Sequence, residues 1–203
     1  VFYLEGQLIT AKNTKQLDPR RIYVHRLELE SSSFRHNIPS SVKTVLVKQQ
    51  KDGWEDEFWL EKEVYERLNE NQGIMILRLS GQGTFHGIPC LILSDIAGIT
   101  LHDLAHNRTE FQEITFQLLE NRLTESLRNL YEYGAENWDQ KLDNFLFCDY
   151  NDNKVMIVDL EEVSFPDQIG DWETNVNLGG VGGLIDDIKG IRDQNYKPSP
   201  VRF

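Results

Sequence analysis

Residues 137–165 read NWDQKLDNFLFCDYNDNKVMIVDLEEVSF. Two short apolar runs, FLF and VMIV, are joined by DYNDN, whose residues suit a tight reversal, so the pattern predicts a β-hairpin over 145–158. Asn144 enters this hairpin and Asp159 leaves it. Antiparallel pairing brings the two ends of a hairpin together, which places both side chains at one edge, within reach of a single cation. Asp139 precedes Asn144 by a short loop that can curl back to the same place. Mg²⁺ takes oxygen ligands, commonly one or two from protein with the rest from water and substrate phosphate, and an Asp with an Asn leaves those positions open. The same residue types also flank strands as ordinary turn formers, and their spacing alone does not separate the two roles.

The surrounding chain narrows the problem. With 203 residues and 39% hydrophobic content it can bury a core, as one domain or a compact pair of lobes. A net charge of -12 argues against general electrostatic binding to nucleic acid or to an anionic membrane. Any anionic ligand would need a metal or aimed donors. The two cysteines, Cys90 and Cys148, each sit among apolar residues, which predicts buried reduced thiols rather than a disulfide or a zinc cluster. The opening VFYLEGQLITAKN has no basic stretch followed by a long apolar run, and no window reaches the roughly 18 apolar residues of a membrane span. The expectation is a cytoplasmic, intracellular protein.

Working outward, residues 22–49 read as strands: RIYVHRLEL and VKTVLVK alternate, SSSFRHNIPSS is turn chemistry, and Lys48 stands at the end of the second run. WEDEFWLEKEVYERLNENQG predicts a helix over about 55–72, ending near Gly73, with Phe58, Tyr65 and Leu68 on one face. IMILRLSGQGTFHGIPCLILSDI reads as strand, glycine-rich turn and strand, with His86, Gly87 and Pro89 as the break. Thr100 can cap LHDLA, and Phe111, Ile114, Leu118, Leu119, Leu123, Leu127 and Leu130 recur at helical spacing over about 110–133 before Gly134. Toward the end, GGVGG is expected to interrupt what would otherwise be one helix, leaving short helices.

Four neighbours add weight to the 137–165 stretch: the long preceding helix, Lys141, Lys48 and Glu63. In this order, VLVK, EKEVYERL, LILSDIAG, the long helix, DQKLDN and VDLEE make residues 22–165 resemble the protein kinase-like superfamily, including its aminoglycoside and choline kinase-like branches. The resemblance implies an α+β, two-lobed protein kinase-like fold. Its N-lobe (1–93) would be an antiparallel sheet with one helix, and its C-lobe (94–203) shortened and mostly helical. It also implies Mg-ATP as cofactor. Lys48 resembles the lysine on the nucleotide phosphates, Glu63 its helix partner, and Ser94, Asp95 and Ile96 the hinge that meets adenine. Asp139 resembles the catalytic aspartate that orients an acceptor hydroxyl, Lys141 the lysine that offsets phosphoryl charge, and Asn144 and Asp159 the magnesium ligands.

The chain departs from the family pattern in four places. No GxGxxG joins the first strands, where LESSSFRHNIPSS stands, either as a phosphate cover made by the backbone amides of Ser31, Ser32 and Ser33 or as an open loop that binds nucleotide poorly. Asn137 and Trp138 precede Asp139 in place of a His-led pair. Asp159 is followed by Leu160 and Glu161, closer to the small-molecule kinases, and no APE-like motif follows. Two functions stay open: a phosphotransferase acting on an unidentified small-molecule or protein acceptor, and a pseudokinase that senses nucleotide or binds a protein partner. An acidic pocket would suit a cationic small molecule.

Other motifs are weaker. His102 and His106 lie four apart but form no HExxH, and GGVGG lacks the Lys-Ser or Lys-Thr of a phosphate loop, so close packing or a hinge is expected there. Trp54, Trp59, Trp138 and Trp172 are scattered and are expected as core or interface anchors.

Overall fold

The structure is a computed structural model that describes residues 1–17, 21–30, 37–107, 114–148 and 153–193. It is an α+β protein whose chain forms two compact units, Val1–Gly73 with Leu77–Ile96, and Ile74–Ile76 with Ala97–Phe203.

The first unit is built on a seven-stranded antiparallel sheet. Its strands are β1 (Phe2–Leu4), β2 (Gln7–Ile9), β3 (Ala11–Gln16), β4 (Val24–Leu29), β5 (Thr44–Gln49), β6 (Leu79–Phe85) and β7 (Ile88–Ser94), in the order β2-β1-β6-β7-β5-β4-β3. One helix, α1 (Glu55–Arg67), belongs to the same unit. Alternation decides which side chains enter the core: Phe2 and Leu4, Leu27 and Leu29, and Val45 and Val47 point to one face, where they meet Ile9, Phe85, Cys90 and Ile92. The opposite face of β5 carries Lys48, in register with Leu91 of β7.

Three strands precede the region that the alternation marked as a sheet. Their signal is the hairpin turn Glu5-Gly6, with φ of 47° and 81°, a pair of left-handed residues that joins two strands without splaying them. His86-Gly87 does the same between β6 and β7, with φ of 53° and 81°. IMIL is not a strand of this sheet; the break falls at His86-Gly87 as expected, while Gly81 and Gly83 lie inside β6. Gly83 is required there, because a Cβ would stand 1.8 Å from the Tyr3 carbonyl oxygen of β1.

The second unit is mostly helical. It contains β8 (Ile99–Thr100), α2 (Leu101–His106), α3 (Phe116–Glu132), β9 (Glu136–Asn137), β10 (Phe145–Cys148), β11 (Lys154–Ile157), β12 (Val163–Ser164) and α4 (Val176–Arg192). Thr100 caps α2 by accepting the Asp103 N–H at 3.0 Å, and Thr115 caps α3 by accepting the Leu118 N–H at 3.1 Å. Residues 110–113 of the expected long helix lie outside the described residues. Within α3, Leu119, Leu123, Leu127 and Leu130 are fully buried, the spacing of a single helical stripe.

GGVGG does not interrupt the last helix; α4 runs through it for 17 residues. The interruption was expected from the entropy that helical glycine loses, about 1 kcal/mol each relative to alanine. A packing constraint explains one of these glycines: a Cβ on Gly180 would coincide with the side-chain amide of Gln140, 0.8 Å from its Oε1.

The four tryptophans are not core residues. Trp54, Trp59 and Trp138 are exposed, and the partly buried Trp172 packs edge-on against Tyr131, with Arg128 over its ring. Among the described residues no helix is long and apolar enough to cross a membrane.

Both cysteines are free and buried. Burial pushes the Cys90 thiol up to about 12 and raises that of Cys148, so neither forms the reactive thiolate near neutral pH. Iodoacetamide should therefore leave the native chain unlabelled at pH 8 and modify both cysteines once urea unfolds it; rapid labelling of the native chain would contradict this packing.

Candidate functional site

In the second unit the 137–165 stretch folds as its pattern demanded. Phe145 pairs with Ile157 and Cys148 with Lys154, and the Val158 N–H donates to the Asn144 carbonyl at 3.0 Å, so Asn144 and Asp159 close one end of the hairpin. Residues 149–152 of the connecting turn lie outside the described residues; Asn153, at its end, is left-handed with φ of 52°.

The loop before the hairpin is fixed by hydrogen bonds of its own. The Asp139 N–H donates to the Asn137 side-chain oxygen at 3.1 Å, the Lys141 N–H to the Asp139 carbonyl at 3.1 Å, and the Asn144 N–H to the Lys141 carbonyl at 2.9 Å, closing a 3₁₀ turn over Leu142–Asn144. The side chains then converge on one carboxylate. Lys141 Nζ lies 2.8 Å from Asp139 Oδ1, and Asn144 Nδ2 donates to Asp139 Oδ2 at 2.9 Å and to its carbonyl at 3.1 Å. The bond to Asp139 raises the Lys141 pKa most, and Asp159 and Glu162 add to the rise. A raised lysine pKa adds stability that is complete below its unfolded value of about 10.4 and is lost as pH climbs through the folded one.

Three residues that the pattern did not single out hold this loop. Asn177, fully buried in the first turn of α4, accepts the Asn137 N–H at 2.9 Å and donates to the carbonyls of Ala135 at 2.9 Å and Leu127 at 3.3 Å. Gln140 donates to the carbonyls of Asn137 at 2.7 Å and Val176 at 3.1 Å, in the space that glycine at 180 leaves. Asn175 caps α4 by accepting the Asn177 N–H and reaches Glu136 Oε1 at 2.8 Å. Only the last had a sequence signal, as an Asn placed to start a helix. The exposed Trp138 joins the loop to β12, its N–H donating to the Glu162 carbonyl and its indole to Ser164.

In the first unit, Lys48 is paired with a different glutamate from the one expected. Its ammonium lies 2.8 Å from Glu61 Oε1 and 2.7 Å from Glu61 Oε2, with both side chains almost fully buried. Glu63 is exposed on α1. The reason is helical phase: Glu61 comes three residues after Phe58 and four before Tyr65, on the buried stripe, whereas Glu63 is turned away from it. The correct partner was thus readable from the apolar face itself.

The Ser94–Ile96 stretch ends this unit. Ser94 is committed to Arg78 through both its backbone N–H and its hydroxyl, each at 2.9 Å, and Asp95 is held by Arg26 at 2.8 Å. Ile96 is half-buried.

Comparison with protein-family models and with curated proteins finds no match to this chain.

A buried ion pair deprived of one partner leaves an uncompensated charge, at a cost of about 3–5 kcal/mol. Glu61→Ala should lower stability on that scale, whereas Glu63→Ala should change it by less than about 0.5 kcal/mol. Urea unfolding of both variants checks the assignment, and equal effects would overturn it.

Proposed function

We propose that this protein is an ATP-dependent phosphotransferase of the kinase-like kind, with the first unit as its nucleotide-holding lobe and the second as its catalytic lobe. The observation that carries the reading is the Asp139 carboxylate, held by Lys141 and Asn144 in a loop braced from α4 and followed by the hairpin that ends at Asp159. Phosphoryl transfer asks little covalent chemistry of a protein; it needs an oriented acceptor, a cation on the phosphates and local positive charge. Asp139 supplies an oxygen that can orient an acceptor hydroxyl and take up its proton. Lys141 supplies charge for the transferring group.

Asn144 and Asp159 fit a magnesium ion by donor chemistry. The Asn144 nitrogen is committed to Asp139, so its amide oxygen is the atom a hard cation would take, with the Asp159 carboxylate at the same end of the hairpin as a second oxygen donor. Mg²⁺ bound there would neutralise charge that develops on the phosphates. Lys48, oriented by Glu61, suits a nucleotide phosphate, and the backbone of Asp95 and Ile96 suits adenine, because the Ser94 N–H already serves Arg78. The buried, unpaired cysteines accord with work inside the cell. The net charge of -12 favours a small cationic acceptor over an acidic one.

Thermal unfolding with and without ATP and Mg²⁺ tests this assignment. A ligand at 100 times its dissociation constant that binds only the native state adds about 2.7 kcal/mol. The wild type should show a magnesium-dependent rise in midpoint that Asp159→Asn loses. No rise at millimolar ATP would remove the nucleotide from the account and leave a protein-binding module on the same fold.

A further inference from the structure

The segment LHDLAH, which the phosphotransferase reading does not use, folds as α2 and brings the rings of His102 and His106 into tilted contact, with centroids 4.4 Å apart and planes 36° from parallel. The ends of this helix are secured by other groups. Thr100 takes the Asp103 N–H at its start, and Arg192 of α4 donates to the carbonyls of Leu104 at 3.1 Å and Asn107 at 2.9 Å at its finish. Capping therefore does not account for two imidazoles on one face.

Their hydrogen bonds define which nitrogen carries the proton. His106 Nδ1 lies 2.8 Å from the His102 carbonyl, and a carbonyl only accepts, so Nδ1 is the protonated nitrogen and Nε2 bears the lone pair. His102 Nδ1 faces carboxylates, Asp103 Oδ1 at 3.3 Å and Asp143 Oδ1 at 4.0 Å, which select the same tautomer. An imidazole whose Nδ1–H is aimed at a carboxylate or a carbonyl, with Nε2 as its basic atom, is the arrangement found behind metal-bound histidine. Two such rings four residues apart on a helix can share one ion.

We propose that His102 and His106 bind a divalent transition metal of the class that prefers imidazole, Zn²⁺, Cu²⁺ or Ni²⁺, through their Nε2 atoms, with water completing the coordination. Hard Mg²⁺ is excluded by the nitrogen donors, which separates this site from the one assigned to Asn144 and Asp159. His102 is 34% exposed at its side chain and His106 is exposed, so an ion reaches them from solvent. Asp143 belongs to the 3₁₀ turn that carries Asn144, so an ion held by His102 would have a carboxylate of that turn at its back.

Cu²⁺ titrated into the full chain at pH 7.5 and followed by electron paramagnetic resonance tests the site without any enzymatic readout. The wild type should show nitrogen splitting from two imidazoles, which Zn²⁺ abolishes by competition and Mg²⁺ does not. His102→Gln and His106→Gln should each weaken binding at least about tenfold, with circular dichroism unchanged. No two-nitrogen spectrum in the wild type, or the same spectrum and affinity in the double variant, would overturn the proposal.

Discussion

The candidate catalytic loop depends on one buried carboxamide. Asn177 offers an oxygen and an amino group, and the structure uses both: the oxygen takes the Asn137 N–H, and the amino group spans the Leu127 and Ala135 carbonyls. A buried amide left partly unsatisfied costs about 1–3 kcal/mol for each lost partner, so this one is stable only where all three groups stand in place. That requirement ties the end of α3, the strand β9 and the start of α4 to each other. The loop from Asn137 to Asn144 then inherits a fixed entry, and its own bonds gather Lys141 and Asn144 around Asp139. Gln140 closes the arrangement over Gly180, which explains why a 17-residue helix tolerates a glycine that costs it stability.

A second constraint governs the first unit. Burying Lys48 and Glu61 removes both from water, a penalty that their mutual attraction offsets only in good geometry. Such a pair is a poor way to gain stability and a good way to fix one lysine in one place. The rest of the sheet is ordinary antiparallel packing, with alternating apolar residues and tight left-handed hairpins. The charged pair therefore stands out as the feature that core formation does not require.

The sequence made the hairpin legible because two apolar runs with turn residues between them leave little freedom of register, and the register observed from Phe145 to Cys148 follows. Helical spacing likewise exposed the buried stripe of α3 and the cap at Thr100. What escaped was set by tertiary packing. Glycine at 180 serves a side chain forty residues away in sequence, a partner that local propensity cannot see. Asn177 carries no local pattern at all. Glu61 is different, since the phase of Phe58, Tyr65 and Leu68 points to it directly, whereas the family resemblance alone selects Glu63.

Under the proposed function Asp139 works on a phosphoryl acceptor and does more than shape a turn. Release of inorganic phosphate from saturating Mg-ATP, with water standing in for the acceptor, separates the two roles when wild type and Asp139→Ala are compared at equal nucleotide occupancy. Slow release by the wild type, falling at least about 100-fold in the variant while nucleotide remains bound, is expected of an Asp139 that orients the acceptor. Equal release from both proteins, or none from either with nucleotide bound, would contradict it and leave the Asp139 loop a structural element of a binding protein.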